Sequence, residues 1–183
     1  MNQRLVYPVL LLSLLAVIFA GCGAAEGSDP EEPLESPAAA AAMPEQMPGD
    51  FAFSVRYGIT AKNEINTFKG RVTKDLISKG SAAAKLRLTD AEISGIYQQM
   101  REMNVLGDME LEIADKSCRQ APYEEEHWII RVNGEQKELA WSEEYCQIPP
   151  DAKKLKELRT RIVKLVQSKS EYQALPEAVG GYD

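Results

Sequence analysis

From residue 51 the chain places an apolar side chain at every second position: Phe51, Phe53, Val55 and Tyr57, with smaller or polar residues between. That period of two marks a strand with one buried face, and Gly58 is expected to end it. A loop through Lys62 and Asn63 leads to a second strand over 64–69. Gly70 separates it from a third over 71–76, with Val72 and Leu76 pointing inward. The stretch 78–84 reads as a loop, and Leu86 and Leu88 suggest one more short extended piece.

The period then changes. Thr89, Asp90, Ala91 and Glu92 have the form of a capping box, in which the threonine hydroxyl accepts from the glutamate amide and the carboxylate reaches back. Ile93, Ile96, Tyr97, Met100 and Met103 follow at helical spacing, one apolar stripe that predicts a helix to residue 103, closed by Asn104 and Gly107. Residues 108–113 alternate acidic and apolar side chains, as an edge strand with a wet face would. A calcium loop would need glycine at its sixth position and glutamate at its twelfth, which here are Ile113 and Arg119.

Asn133-Gly134 between the runs 127–132 and 135–141 is a strong hairpin signal, because both residues tolerate positive φ. A two-residue turn sets Val132 opposite Glu135, Ile130 opposite Lys137 and Trp128 opposite Leu139, so that Trp128, Ile130, Val132 and Leu139 share a core face. A second helix follows Pro149-Pro150, with Leu155, Leu158, Ile162, Leu165 and Val166 as its stripe. Lys153, Lys154, Arg161 and Lys164 lie outside that stripe and Arg159 falls at its edge. In the tail, Leu175 and Tyr182 are candidate anchors, and Gly180-Gly181 suggests a loose end. The expected fold is one α+β domain over 50–183: an antiparallel sheet of about four to six strands packed against two helices.

The beginning of the chain reads as an address. Arg4 and the amino terminus are followed by an apolar run from Leu5 to Phe19, then by Ala20, Gly21 and Cys22. The run suits a secretory core and is too short to cross a bilayer as a helix. Phe19-Ala20-Gly21-Cys22 resembles the lipobox of bacterial lipoproteins, with Phe19 in place of the commoner leucine. The resemblance implies a signal peptide over 1–21, diacylglycerol on Cys22 and an extracytoplasmic domain anchored to the cell membrane, on its outer leaflet in a Gram-positive cell. Gly23 after Cys22 is not an inner-membrane retention signal of the aspartate type, which leaves an outer-membrane location open. The specific residues of the resemblance end at Cys22. The domain beyond it looks like the small tethered domains of unknown function on Gram-positive cells.

Residues 22–49 carry five prolines and an alanine run, with Glu26, Asp29, Glu31, Glu32, Glu35 and Glu45 as their ionic side chains, and read as a flexible acidic tether. Lipid on Cys22 leaves Cys118 and Cys146 as a pair that would be oxidised outside the cytoplasm. A pair of cysteines without a CxxC or a nearby histidine is a weak zinc site, and a disulfide across the open end of the hairpin is the expectation.

The net charge of −7 over 183 residues speaks against a nucleic-acid binder. Much of it belongs to the tether: 22 of the 28 acids and 20 of the 21 bases follow residue 49, which leaves the domain near −2. Within the domain the charges segregate. Lys69, Arg71, Lys74, Lys79, Lys85 and Arg87 share their stretch with Asp75 alone; Asp108, Glu110, Glu112 and 124–126 make the middle acidic; bases return from Lys153 to Lys169.

No catalytic constellation stands out. His127 is the one histidine, and it is expected on the exposed face opposite Trp128; neither G-x-S-x-G nor a glycine-rich phosphate loop occurs. Glu125 and Glu126 form a carboxylate pair of the kind glycoside hydrolysis uses, with no separation fixed by the sequence. No metal or cofactor is expected. The basic helix, with Lys153, Lys154, Lys156, Arg161 and Lys164, is a candidate face for an anionic partner such as teichoic acid, lipid headgroups or an acidic envelope protein, or else a solvated outer face. The leading expectation is a non-enzymatic binding module of the envelope. The alternatives are a small hydrolase using carboxylates and an accessory or inhibitor subunit of a membrane complex.

Overall fold

The computed structural model describes residues 42–182. The expected signal peptide, the lipid-bearing Cys22 and the tether as far as residue 41 lie outside the described residues. The alternation that starts at Phe51 becomes β1 (Ala52–Ile59), the strand around which an antiparallel sheet is assembled. On one side stand β2 (Asn63–Asn66), β3 (Arg71–Asp75) and β4 (Ser81–Lys85); on the other stand β5 (Glu124–Val132) and β6 (Glu135–Ser142). The order across the sheet is β4-β3-β2-β1-β5-β6. With α1 (Asp90–Glu102), α2 (Pro150–Gln167) and the single turn α3 (Ser170–Gln173), this is an α+β domain of the expected kind.

Register puts the apolar rows on one face. Val55 lies opposite Ile65 on β2 and Trp128 on β5, and Trp128 opposite Leu139 on β6. These side chains, with Phe53, Val72 and Ile130, form one core with Ile96, Tyr97 and Met100 of α1 and Ala152, Leu155, Leu158, Ile162 and Val166 of α2. The other face carries polar and small side chains and is open over Arg56, His127, Glu138 and Ala140, the usual division of an antiparallel sheet with one wet side.

Local chemistry sets the element ends. The box at Thr89 is closed: its amide donates to the Glu92 carboxylate at 2.8 Å, and its hydroxyl accepts from the Glu92 amide at 3.3 Å. Asn104 takes φ +50 and stops α1. Asn133 and Gly134 adopt φ +53 and +81, and β5 and β6 pair in the expected register. Asp50 accepts from both turn amides, at 3.0 and 2.6 Å, and this pulls its carboxyl below the ordinary range, the Gly134 amide first.

Four expectations are corrected. The stretch 78–84 is a turn only over 78–80: Ser81–Lys85 pairs with β3 as β4, its alanines being small enough to sit at a sheet edge without an apolar pattern to announce them. Residues 108–113 are not a strand; Met109 and Leu111 pack on the core, while the Glu110 amide donates to Asp151 at 2.9 Å instead of to a neighbouring strand. Gly58 does not end β1, which continues to Ile59 opposite Glu124; the reversal falls at Thr60 and Ala61, both with positive φ. The last residues assigned to the tether belong to the domain, since Met43 is buried in the core and the Tyr97 hydroxyl donates to the Pro44 carbonyl at 2.6 Å. The tail is anchored by Tyr172, which is buried, by Val179 bridged to Ile77, and by Tyr182, whose hydroxyl donates to Asp75.

Cys118 and Cys146 form a disulfide at the open end of the β5–β6 hairpin. They are 28 positions apart, and the chain between them includes the whole hairpin. Replacing both by serine should cost about 2–4 kcal/mol, the loop-closure entropy returned to the unfolded chain. Urea denaturation of the double variant measures it; a loss below about 1 kcal/mol would show that the unfolded loop is already compact.

Candidate functional site

Extending the hairpin register by two positions beyond Trp128 and Leu139 sets Glu126 opposite Trp141, while β1 sets Tyr57 against the other side of Glu126. All three point into the core, and the Glu126 side chain has no exposed surface. Arg159, one turn after Leu155 on α2, enters from above: its Nε donates to Glu126 Oε1 at 2.8 Å and its second terminal nitrogen to Glu124 at 2.9 Å. Trp128 and Trp141 both donate from their indole nitrogens to Glu126 Oε2, at 3.0 and 3.3 Å. The guanidinium carbon lies 5.3 Å from the centre of the Tyr57 ring. Burial pushes the Glu126 carboxyl upward against the pull of Arg159 and the indoles, and burial raises the Tyr57 hydroxyl well above its ordinary value. With both Glu126 oxygens and both indole nitrogens occupied, the network is a joint between sheet and helix. The sequence reads Glu126 only as one of an acidic pair with Glu125, and the fold buries it.

That joint fixes which side of α2 faces solvent. Lys153, Lys154, Arg161 and Lys164 are exposed, as expected, but two members of the basic set are engaged. Lys154 pairs with Asp151 at 2.8 Å, and Lys156 turns back to Glu143 and lies 4.0 Å from Glu124. Lys153, Arg161 and Lys164 remain as a sparse cationic strip with Glu157 on the same helix.

A denser cluster forms at the end of the sheet, between the β2–β3 turn, the start of β1 and the segment entering α1. There a cleft of about 380 Å³ is lined by Phe51, Phe68, Leu86, Leu88 and Ile93 and carries Lys69, Arg71 and Arg87. All three cations are exposed, and among the described residues none of them makes an ion pair. Arg71 also stands directly across from Lys85 on β4, a like-charge cross-strand pair that disfavours the sheet. Gly70, at φ +55, lets the Arg87 stem cross the turn: a Cβ there would meet Arg87 Cγ at 3.3 Å. Arg131 stacks over Phe68 at 5.0 Å. The neutral polar side chains of the lining are engaged internally. Thr67 exchanges two hydrogen bonds of 2.8 Å with the Phe53 backbone; Asn66 accepts from the Lys69 amide at 3.0 Å and donates to Glu64 at 2.8 Å.

The remaining candidates do not converge. Glu125 and Glu126 are neighbours on a strand and therefore face opposite sides of the sheet, so they cannot flank one glycosidic bond. His127 is exposed on the open face, 3.6 Å from Glu125, with Ser54 and Arg56 beside it in a shallow depression. Among the described residues no cluster of three or more histidine, cysteine, aspartate or glutamate side chains could hold a metal ion.

Replacing Arg159 by alanine strands a buried carboxylate and should cost about 3–5 kcal/mol at pH 7, whereas the double variant E126L/R159M should recover most of it. An acid with a raised folded pKa is destabilising only as pH climbs above its unfolded value, near 4.5. The deficit of R159A should therefore narrow on acidification toward that value. Urea titrations at pH 7 and pH 5 test both statements; an equal loss at the two values would mean that water reaches Glu126. No protein-family model, curated protein or solved structure matches this chain.

Proposed function

We propose that the chain is an extracytoplasmic lipoprotein, anchored to the membrane through Cys22, whose domain is a non-enzymatic binding module for an anionic component of the cell envelope. One observation carries the binding reading: Lys69, Arg71 and Arg87 gather on one cleft with no acid paired to them among the described residues. Unneutralised like charges lower stability, and an anionic ligand would supply the counter-charge. The lipobox-like Phe19-Ala20-Gly21-Cys22 supports the anchor, and the disulfide supports a compartment in which thiols oxidise. The strip on α2 is a secondary surface that speeds encounter with an anionic partner more than it adds affinity.

Two measurements test the proposal. Intact mass of the protein from its native membranes should show a mature chain beginning at an acylated Cys22; an uncleaved leader or an unmodified amino terminus overturns the anchor. Binding of the full chain to poly(glycerol phosphate) should weaken steeply with salt, and K69E/R71E/R87E should weaken it by about tenfold or more at low salt, with K153E/K154E/K164E having the smaller effect. Binding that ignores both salt and the cleft variant overturns the anionic partner.

A further inference from the structure

What the cleft withholds narrows the ligand. A sugar or peptide is recognised by neutral donors and acceptors, yet Asn66 and Thr67 spend theirs on Glu64, the Lys69 amide and the Phe53 backbone. The side chains left to meet a ligand are hydrocarbon and cation. Phe68, Leu88 and Ile93 are half-buried, so part of their surface stays in water when the cleft is empty. Its volume of about 380 Å³ lies at the lower end of small-ligand sites. It has room for a headgroup with a few methylenes.

The charge count narrows it again. A carboxylate has two oxygens and one charge to share among three cations. A phosphate monoester carries about −1.5 to −2 and three acceptor oxygens, one for each of Lys69, Arg71 and Arg87, and the arginine fork suits it. Resting on the anion-binding reading above, we propose that the cleft binds a phosphate-bearing amphiphile. Its phosphate sits among Lys69, Arg71 and Arg87, and the adjoining hydrocarbon lies against Phe68, Leu88 and Ile93. The ligand's apolar arm covers the surface that an inorganic anion or a polyanionic chain would leave wet.

The test is calorimetric titration of the full chain, carrying Cys22→Ser to keep lipid off it, with decyl phosphate, decanoate and inorganic phosphate, each below its micellar concentration. Decyl phosphate should bind about tenfold or more tightly than inorganic phosphate, the effect of sealing two methylenes, and more tightly than decanoate. Arg71→Gln with Arg87→Gln should abolish that binding, and Phe68→Ser should bring decyl phosphate down toward inorganic phosphate; circular dichroism of both variants confirms that they fold. Equal affinity for inorganic and decyl phosphate overturns the amphiphile and leaves the anion site standing, as does binding of poly(glycerol phosphate) without binding of decyl phosphate. Decanoate binding as tightly as decyl phosphate overturns the phosphate assignment. Failure of every anion, the polymer included, overturns both readings.

Discussion

The carboxylate of Glu126 is enclosed on all sides, and its ion pair with Arg159 sets the position of α2 on the sheet. A buried carboxylate needs its cation and its hydrogen bonds together, since removing either leaves a charge without solvent. Here one oxygen meets the guanidinium and the other meets two indoles, so the arrangement tolerates little rotation or sliding of the helix. Leu155, Leu158 and Ile162 supply the attraction between helix and sheet; the ion pair selects one register from those that the apolar stripe would accept. Everything on the outside of α2 follows from that choice, including the diversion of Lys156 into Glu143 and the exposure of Lys153, Arg161 and Lys164.

The cleft depends on a different part of the fold. Its cations come from a turn, a strand and the segment that enters α1, and the β2–β3 turn brings them together. Gly70 lets the Arg87 stem pass, and Lys85 is held across from Arg71 by the β3–β4 pairing. Strain of this sort is the reverse of the Glu126 joint. There each charge is matched inside the protein; at the cleft Lys69, Arg71 and Arg87 meet no paired acid among the described residues.

Most of the framework was legible from spacing. The capping box at Thr89, the stripes of α1 and α2 and the Asn133-Gly134 hairpin each rest on short-range chemistry that a sequence displays directly. What escaped was tertiary. Ser81–Lys85 has no apolar alternation and becomes a strand because β3 offers it a partner. Residues 108–113 have the alternation but no partner. Glu126 could have been found: the hairpin register that sets Trp128 opposite Leu139 also puts Glu126 on the core face, and Arg159 at the edge of its stripe was the matching cation. The cleft could not, because its basic residues are continuous with Lys74 and Lys79, and only the fold shows that Lys74 pairs with Glu177 while Lys69, Arg71 and Arg87 line one cleft.

The chain contains two tryptophans, and both are hydrogen-bonded to the same carboxylate oxygen. Indole emission from this protein is therefore not an average over the domain but a local optical readout of the helix–sheet joint. A ligand at the cleft would leave it dark unless the coupling runs through the sheet, whereas loosening of α2 would register at once.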